Sequence, residues 1–241
     1  MNVLITRPIE DAKRLTKQLH EKNIQTFIEP LISISYNHKK DINIRQYKAL
    51  IFTSSNAVRA FASQYTERDI QIFVVGHKTA YIARTFDFKA IKSANGDVEK
   101  LSGVVINDLK PRDGPLLYLC GEHISGNIET ILKNNNFQVD KIVNYKAIAA
   151  THFSNELCQL IKNNEIDYIP FYSSRTAHIF NELVKKANLN NYLMNIIALC
   201  LSPAINNVLQ SDVWRTVLTA EKQTEQDFFK LINVELEDPS S

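Results

Sequence analysis

Hydroxyl side chains recur where this sequence leaves an apolar run, and those positions are where its chemistry would be done. They are Thr53, Ser54 and Ser55 after Ala49-Leu50-Ile51-Phe52, Thr79 after Val74-Val75-Gly76, Ser173 and Ser174 after Ile169-Pro170-Phe171, and Ser202 after Leu199-Cys200-Leu201. Arg7 stands at the same place after Val3-Leu4-Ile5. A single serine or threonine there would cap the helix that follows. Several such corners aimed at one cleft would do more, because hydroxyls and free helix N–H groups hold anionic groups without burying an equal number of cations. Tyr145, in the run Ile142-Val143-Asn144-Tyr145-Lys146, differs in kind. Its phenol is a weak acid that could give up a proton, although a tyrosine within a strand also serves as packing.

Other chemistries lack their residues. The histidines, at positions 20, 38, 77, 123, 152 and 178, form neither HExxH nor a short ligand spacing, so no metal site is expected. The stretch from Gly121 to Asn127 has the glycine spacing of a phosphate loop, but Asn127 and Ile128 stand where lysine and a hydroxyl should follow. There is no GxGxxG for a dinucleotide and no GxSxG elbow for a hydrolase. The strand ends carry Ser and Thr where a phospho-accepting receiver needs acids. Cys120, Cys158 and Cys200 are odd in number and form no CxxC, which suits reduced, buried thiols.

A net charge of +2, spread along the chain, gives no footprint for nucleic acid. No apolar run approaches the roughly 18 residues of a membrane span. The start, MNVLITRP, lacks the regions of a signal peptide, so a cytoplasmic protein without membrane contact is expected.

The elements that must position these groups alternate between strand and helix. Strands are expected at Val3–Ile5, 27–36, 48–53, 72–75, 90–94, 116–119, 139–149, 167–172, 196–201 and 217–219. Helical spacing follows most of them; Ile9, Ala12, Leu15 and Leu19 mark the first helix, over 9–22. Apolar strands alternating with helices imply parallel sheets covered on both faces. Ten strands in 241 residues suit two five-stranded sheets.

The order of parts repeats. FTSSNAVRAF at 52–61 matches FYSSRTAHIF at 171–180 in both serines and both end phenylalanines. The first half runs ITRP, FIEPLISIS, FTSSNAV, VVGHKTA, SANGD, and the second YLCGE, IVNYKAIA, FYSSRTA, LCLSPAI, LTAEKQT. In each half the second run is long enough to pass from one lobe to another, which would leave both termini in one lobe and the middle of the chain in the other.

With ITRP, FTSSNAV, VVGHKTA, ANGD, YLCGE, the NYKA tyrosine, FYSSRTA and CLSPA in this order, the sequence resembles the uroporphyrinogen-III synthase family over essentially its whole length. The resemblance implies an α/β fold of two flavodoxin-like lobes, each a five-stranded parallel sheet flanked by helices, joined by a two-stranded β-ladder with the active site between. Residues 1–34 and 149–241 would form one lobe and 35–148 the other. The substrate would be hydroxymethylbilane, closed to the macrocycle with loss of water and inversion of the last ring. The resemblance implies no cofactor and no metal, and a monomer that could receive its substrate from the preceding pathway enzyme.

By matching positions, Tyr145 would be the proton donor. Thr53, Ser54, Ser55 and Thr79 would line one wall, Ser173 and Ser174 the facing one, with Arg7 and Ser202 also on substrate. The sequence departs from the family at Ile205, which lacks a hydroxyl, at Gly121-Glu122-His123, where an arginine-bearing loop is usual, and at Glu221-Lys222-Gln223-Thr224, where a proline is common. A binding protein for a small anion and a nucleotide-dependent enzyme are the competing readings.

Overall fold

The computed structural model describes residues 1–37, 41–124, 126–209 and 211–233; His38 and Ser125 lie outside them. In chain order the elements are β1 (Asn2–Ile5), α1 (Ile9–His20), β2 (Gln25–Ile28), β3 (Ile32–Tyr36), β4 (Ala49–Phe52), α2 (Ser55–Ala62) and β5 (Gln71–Val75). There follow α3 (Gly76–Thr85), β6 (Ile91–Ala94), α4 (Val98–Asp108), β7 (Leu116–Gly121), α5 (Ile128–Asn134), β8 (Val139–Ala149) and α6 (Asn155–Lys162). The last are β9 (Tyr168–Phe171), α7 (Ser174–Lys186), β10 (Ile197–Cys200), α8 (Pro203–Asn206), β11 (Thr216–Thr219) and α9 (Glu225–Lys230).

Two compact units result, Met1–Ser33 with Ile148–Ser241, and Ile34–Ala147. The first holds a sheet of order β2-β1-β9-β10-β11, and the second a sheet of order β3-β8-β7-β4-β5-β6. Neighbours within β2 to β11 of the first and β8 to β6 of the second run parallel. Thus β7 and β8 take the places in one sheet that β1 and β2 take in the other, and β4 to β6 correspond to β9 to β11. Each sheet draws its first two strands from one half of the sequence repeat and its last three from the other.

The extended run at 27–36 proves to be two strands in two sheets, so the second sheet has six strands rather than five. The break falls at Glu29-Pro30-Leu31, where Pro30 has no N–H for a ladder and Leu31 instead donates to Thr6 O. β3 joins the second sheet antiparallel to β8, Leu31 O accepting from Ala150 N and Asn37 N donating to Asn144 O. The helix α6 is not among the expected elements, although Leu157 and Ile161 stand buried one turn apart on its inner face. What fixes its start is Ser154, whose Oγ accepts from Leu157 N while the Glu29 carboxylate takes the Ser154 N–H and O–H.

Strand alternation builds the core of the second unit. Leu50, Phe52, Ile72, Val74, Leu117 and Leu119 pack on one face. Ala49, Ile51, Phe73, Leu116, Tyr118 and Cys120 pack on the other. Period two with both faces covered is what parallel strands require.

The repeated phenylalanines now have a role. Phe52 of β4 meets Phe61 of α2 edge-on, centroids 5.8 Å apart at 71°, and Phe171 of β9 meets Phe180 of α7 at 5.3 Å and 72°. All four are fully buried. Phe180 also stacks on Trp214, the single tryptophan. Replacing Phe180 by Ala should therefore cost about 3–5 kcal/mol, read as a lower urea midpoint of Trp214 fluorescence; a loss below about 1 kcal/mol would contradict this packing role.

Candidate functional site

The corner after β4 gathers the sequence-predicted groups of the second unit. Ser54 has extended backbone, φ −148° and ψ 139°, and N-caps α2 through its Oγ, which accepts from Asn56 N at 3.2 Å. The same Oγ accepts the hydroxyl of Tyr145 at 3.1 Å. A hydroxyl has two acceptor positions and one proton. With both acceptor positions engaged, Ser54 still has its own proton to offer.

Tyr145 reaches Ser54 by crossing a strand. Its own strand, β8, neighbours β7, and β7 neighbours β4. The residue of β7 in register with Tyr145 is Gly121. A Cβ built there would lie 2.7 Å from Tyr145 Cζ, 2.8 Å from Oη and 3.0 Å from Cε2, closer than packed atoms stand. The missing side chain is the passage for the ring.

A β-bulge sets the aim. Cys120 pairs with Val143 and Gly121 with Tyr145, so the ladder passes over Asn144. The Asn144 side chain, 6% exposed, turns toward α2 and donates to Ala57 O at 2.9 Å. Its backbone carbonyl accepts from Asn37 N, while Asn37 Nδ2 donates to Val143 O and Glu122 N donates to Tyr145 O. The bulge thus re-aims the tyrosine, as bulges beside sites do, and Asn144 ties it to the helix that Ser54 caps. Asn144 Oδ1 finds no partner among the described atoms.

Of the other residues expected here, Thr53 shares a hydrogen bond of 3.2 Å with Tyr118 Oη. Ser55 opens α2 beside its cap. Thr79, expected on a wall, is only 6% exposed within α3, so its hydroxyl offers little surface.

In the first unit, Ser173 caps α7, its Oγ accepting from Thr176 N at 3.2 Å and lying 2.9 Å from Thr176 Oγ1. Ser174 donates to Ala204 O at 3.3 Å. Ser202 stands before Pro203 at the start of the four-residue α8, with no side-chain cap bond. Ser173 is thus a helix cap in just the sense that its spacing suggests.

Arg7 is engaged by other side chains of the first unit. Its guanidinium donates to Glu225 Oε1 at 2.6 Å and to Asp11 Oδ2 at 2.9 Å, and lies 4.0 Å above the Tyr172 ring. Arg14 binds the other oxygen of Glu225, also at 2.6 Å. The charge expected to meet a substrate is balanced by the first turns of α1 and α9, and it joins those helices. Burial, then Glu225, holds the Tyr172 phenol well above its ordinary pKa, so a neutral ring lies under the cation.

The departures also find places. Ile205 is buried in α8, 3% exposed. His123 is exposed in the loop after β7. Thr224 caps α9, accepting from Asp227 N at 3.2 Å. Sequence reasoning registers Gly121 only in a phosphate-loop spacing and as a departure, and overlooks Asn144 and Tyr118. The glycine's signal is its place, opposite the one chemically distinct residue of β8. Among the described residues no group of His, Cys, Asp and Glu could hold a metal ion, and no helix is long and apolar enough to cross a membrane.

Gly121→Ala should expel the Tyr145 ring from Ser54 and destabilise the protein by about 1–3 kcal/mol, as overpacking does. A crystal structure of the variant checks it. The added methyl accommodated with Tyr145 Oη still on Ser54 would overturn this account of the passage.

The chain matches the family model described as uroporphyrinogen-III synthase HemD over residues 13–230. It is 25% identical over 245 residues to the porphyrin biosynthesis protein HemD of Ruminiclostridium josui, covering 92% of this chain and 46% of that protein. It is 34% identical over 86 residues to a putative uroporphyrinogen-III synthase of Methanocaldococcus jannaschii, covering 33% of this chain and 36% of that one. The chain thus spans less than half the length of these curated relatives. In fold it is similar to the crystal structure of uroporphyrinogen-III synthetase from Helicobacter pylori 26695, with a TM-score of 0.63 at 16% identity, over 96% of this chain and 97% of that one. With the family model matched over most of its length, the chain belongs to the uroporphyrinogen-III synthase family.

Proposed function

We propose that this chain closes hydroxymethylbilane to uroporphyrinogen III, a cyclising hydro-lyase step that loses water and inverts the last pyrrole ring. The observation that carries the reading is the Tyr145 hydroxyl, brought across Gly121 onto Ser54 at a strand-end corner. We propose further that the two units are flavodoxin-like lobes, residues 1–34 with 149–241 and residues 35–148, joined by β3 and β8 as a two-stranded ladder. The family membership and the strand orders support this.

The chemistry asks little acidity of the protein. A hydroxymethylpyrrole ionises readily, because the ring nitrogen pushes electron density toward the carbon that holds the leaving group. A weak donor therefore suffices as general acid. Tyr145 holds its proton on Ser54 at rest; substrate would present its hydroxyl as the new acceptor, the carbon–oxygen bond would break, and water would leave. The tyrosinate would recover a proton when the closed ring rearomatises, so no net charge remains on the enzyme. No cofactor or metal enters this scheme.

Regiochemistry is the harder task. The ring must close at a substituted carbon, which requires a flexible chain to be held folded; that is catalysis by positioning. The Ser54 proton, Thr53, Ser55 and the amino end of α2 supply donors for the acetate and propionate arms in the second unit. Ser173, Ser202 and the amino end of α7, where Ser174 would first have to release Ala204 O, supply them in the first. Arg7, paired with Asp11 and Glu225, also holds α1 and α9 together.

The direct test gives purified protein hydroxymethylbilane and separates the isomers formed. Isomer III is expected; isomer I alone, the spontaneous product, would sink the reading. Tyr145→Phe should lower kcat by roughly ten- to a thousandfold with the product still isomer III, in keeping with general-acid contributions. An unchanged kcat would reduce Tyr145 to packing.

A further inference from the structure

Two tyrosines hold the corner after β4, from opposite faces of the sheet. Tyr145 packs with the cluster of Phe52 and Leu119 and reaches Ser54. Tyr118 packs with the cluster of Ile51 and Cys120 and reaches Thr53 at 3.2 Å. Successive strand residues point to opposite faces, so Thr53 and Ser54 present their hydroxyls to different tyrosines. Tyr118 is in register with Ile51, two residues before Thr53 on the same face, and its length spans the difference.

Tyr118 is only 1% exposed, packed in the cluster of Ile51, Phe73 and Cys120. Without water, the phenol must find an acceptor within the protein, since an unsatisfied buried hydroxyl is costly. Burial pushes its pKa up to about 12, the bond to Thr53 opposing this in part, so the proton stays on the phenol. Thr53 Oγ1 lies where that proton can be received.

We infer that Tyr118 is a positioning residue: its hydroxyl donates to Thr53 Oγ1 from the covered side of the sheet, fixes the threonine rotamer and turns the threonine's own proton toward the open end of β4. Thr53 is partly exposed and Tyr118 is not, so the pair converts a buried phenol into an oriented surface donor. The ligand class that such a donor serves is a carboxylate arm, and this part rests on the function proposed above. Neither tyrosine substitutes for the other: Tyr145 contacts the leaving hydroxyl, whereas Tyr118 acts only through Thr53.

The test compares Tyr118→Phe, Thr53→Val and the double variant. Tyr118→Phe should raise KM for hydroxymethylbilane about three- to tenfold, the loss expected of one hydrogen bond, with kcat little changed. In the Thr53→Val background it should add nothing to KM. A KM effect of the same size in both backgrounds, or none in either, would overturn the inference. A second measurement is independent of turnover. Three-bond couplings to the Thr53 methyl should report one χ1 rotamer in the parent and averaging in Tyr118→Phe. Identical couplings would refute the positioning role. A parent protein that makes no isomer III while its couplings change as expected would leave Tyr118 as a positioning residue and remove the proposed function alone.

Discussion

The absence of one side chain governs the candidate site. Tyr145 belongs to β8 and its partner Ser54 follows β4, with β7 between them. Only a glycine in register with the tyrosine lets an aromatic ring cross, and Gly121 is that residue. The bulge at Asn144 completes the constraint, because without it Tyr145 would fall out of register with Gly121 and point to the other face. Backbone geometry, rather than an ion pair, therefore sets the position of the Tyr145 phenol. A group aimed this way is fixed before any ligand arrives, which is the form of preorganisation that positioning requires.

Under the proposed function, the hydroxyls of this corner would serve an acid-rich ligand. Cations near it would hold carboxylates strongly but would carry a desolvation cost when buried. Hydroxyls whose acceptor positions are already engaged within the protein become directed donors instead. Ser54 accepts from Asn56 N and Tyr145. Thr53 is held by Tyr118. In the first unit the cation that follows β1, Arg7, is drawn into a cluster with Asp11, Glu225 and Arg14 that joins helices.

Much of the architecture is legible in the sequence because parallel, doubly covered strands read as plain apolar runs. Leu50-Ile51-Phe52 and Ile169-Pro170-Phe171 declare themselves by composition, and the helices after them by their caps at Ser54 and Ser173. Where reading fails, the deciding contact is remote. Pro30 parts one extended run into two strands, but that they enter different sheets depends on partners more than a hundred residues away, at Asn144 and Ala150. Helix α6 is missed although Leu157 and Ile161 stand one turn apart behind the Ser154 cap; the Glu29 carboxylate that holds Ser154 is distant in the chain. At the site, hydroxyl types at strand ends are visible; which tyrosine meets which hydroxyl is not, since register and bulge decide it. The ion pair of Arg7 is likewise invisible in the sequence, because its partner Glu225 lies near the other end of the chain.

In the proposed function the Tyr145 hydroxyl acts at the carbon from which water leaves. A crystal structure of the chain with uroporphyrinogen III bound tests it most directly. The account predicts Tyr145 Oη turned from Ser54 and within hydrogen-bonding reach of where that carbon's hydroxyl stood, with Thr53 and Ser54 donating to carboxylate arms. A macrocycle bound with its newly closed bridge remote from Tyr145, and the Tyr145–Ser54 bond intact, would contradict it.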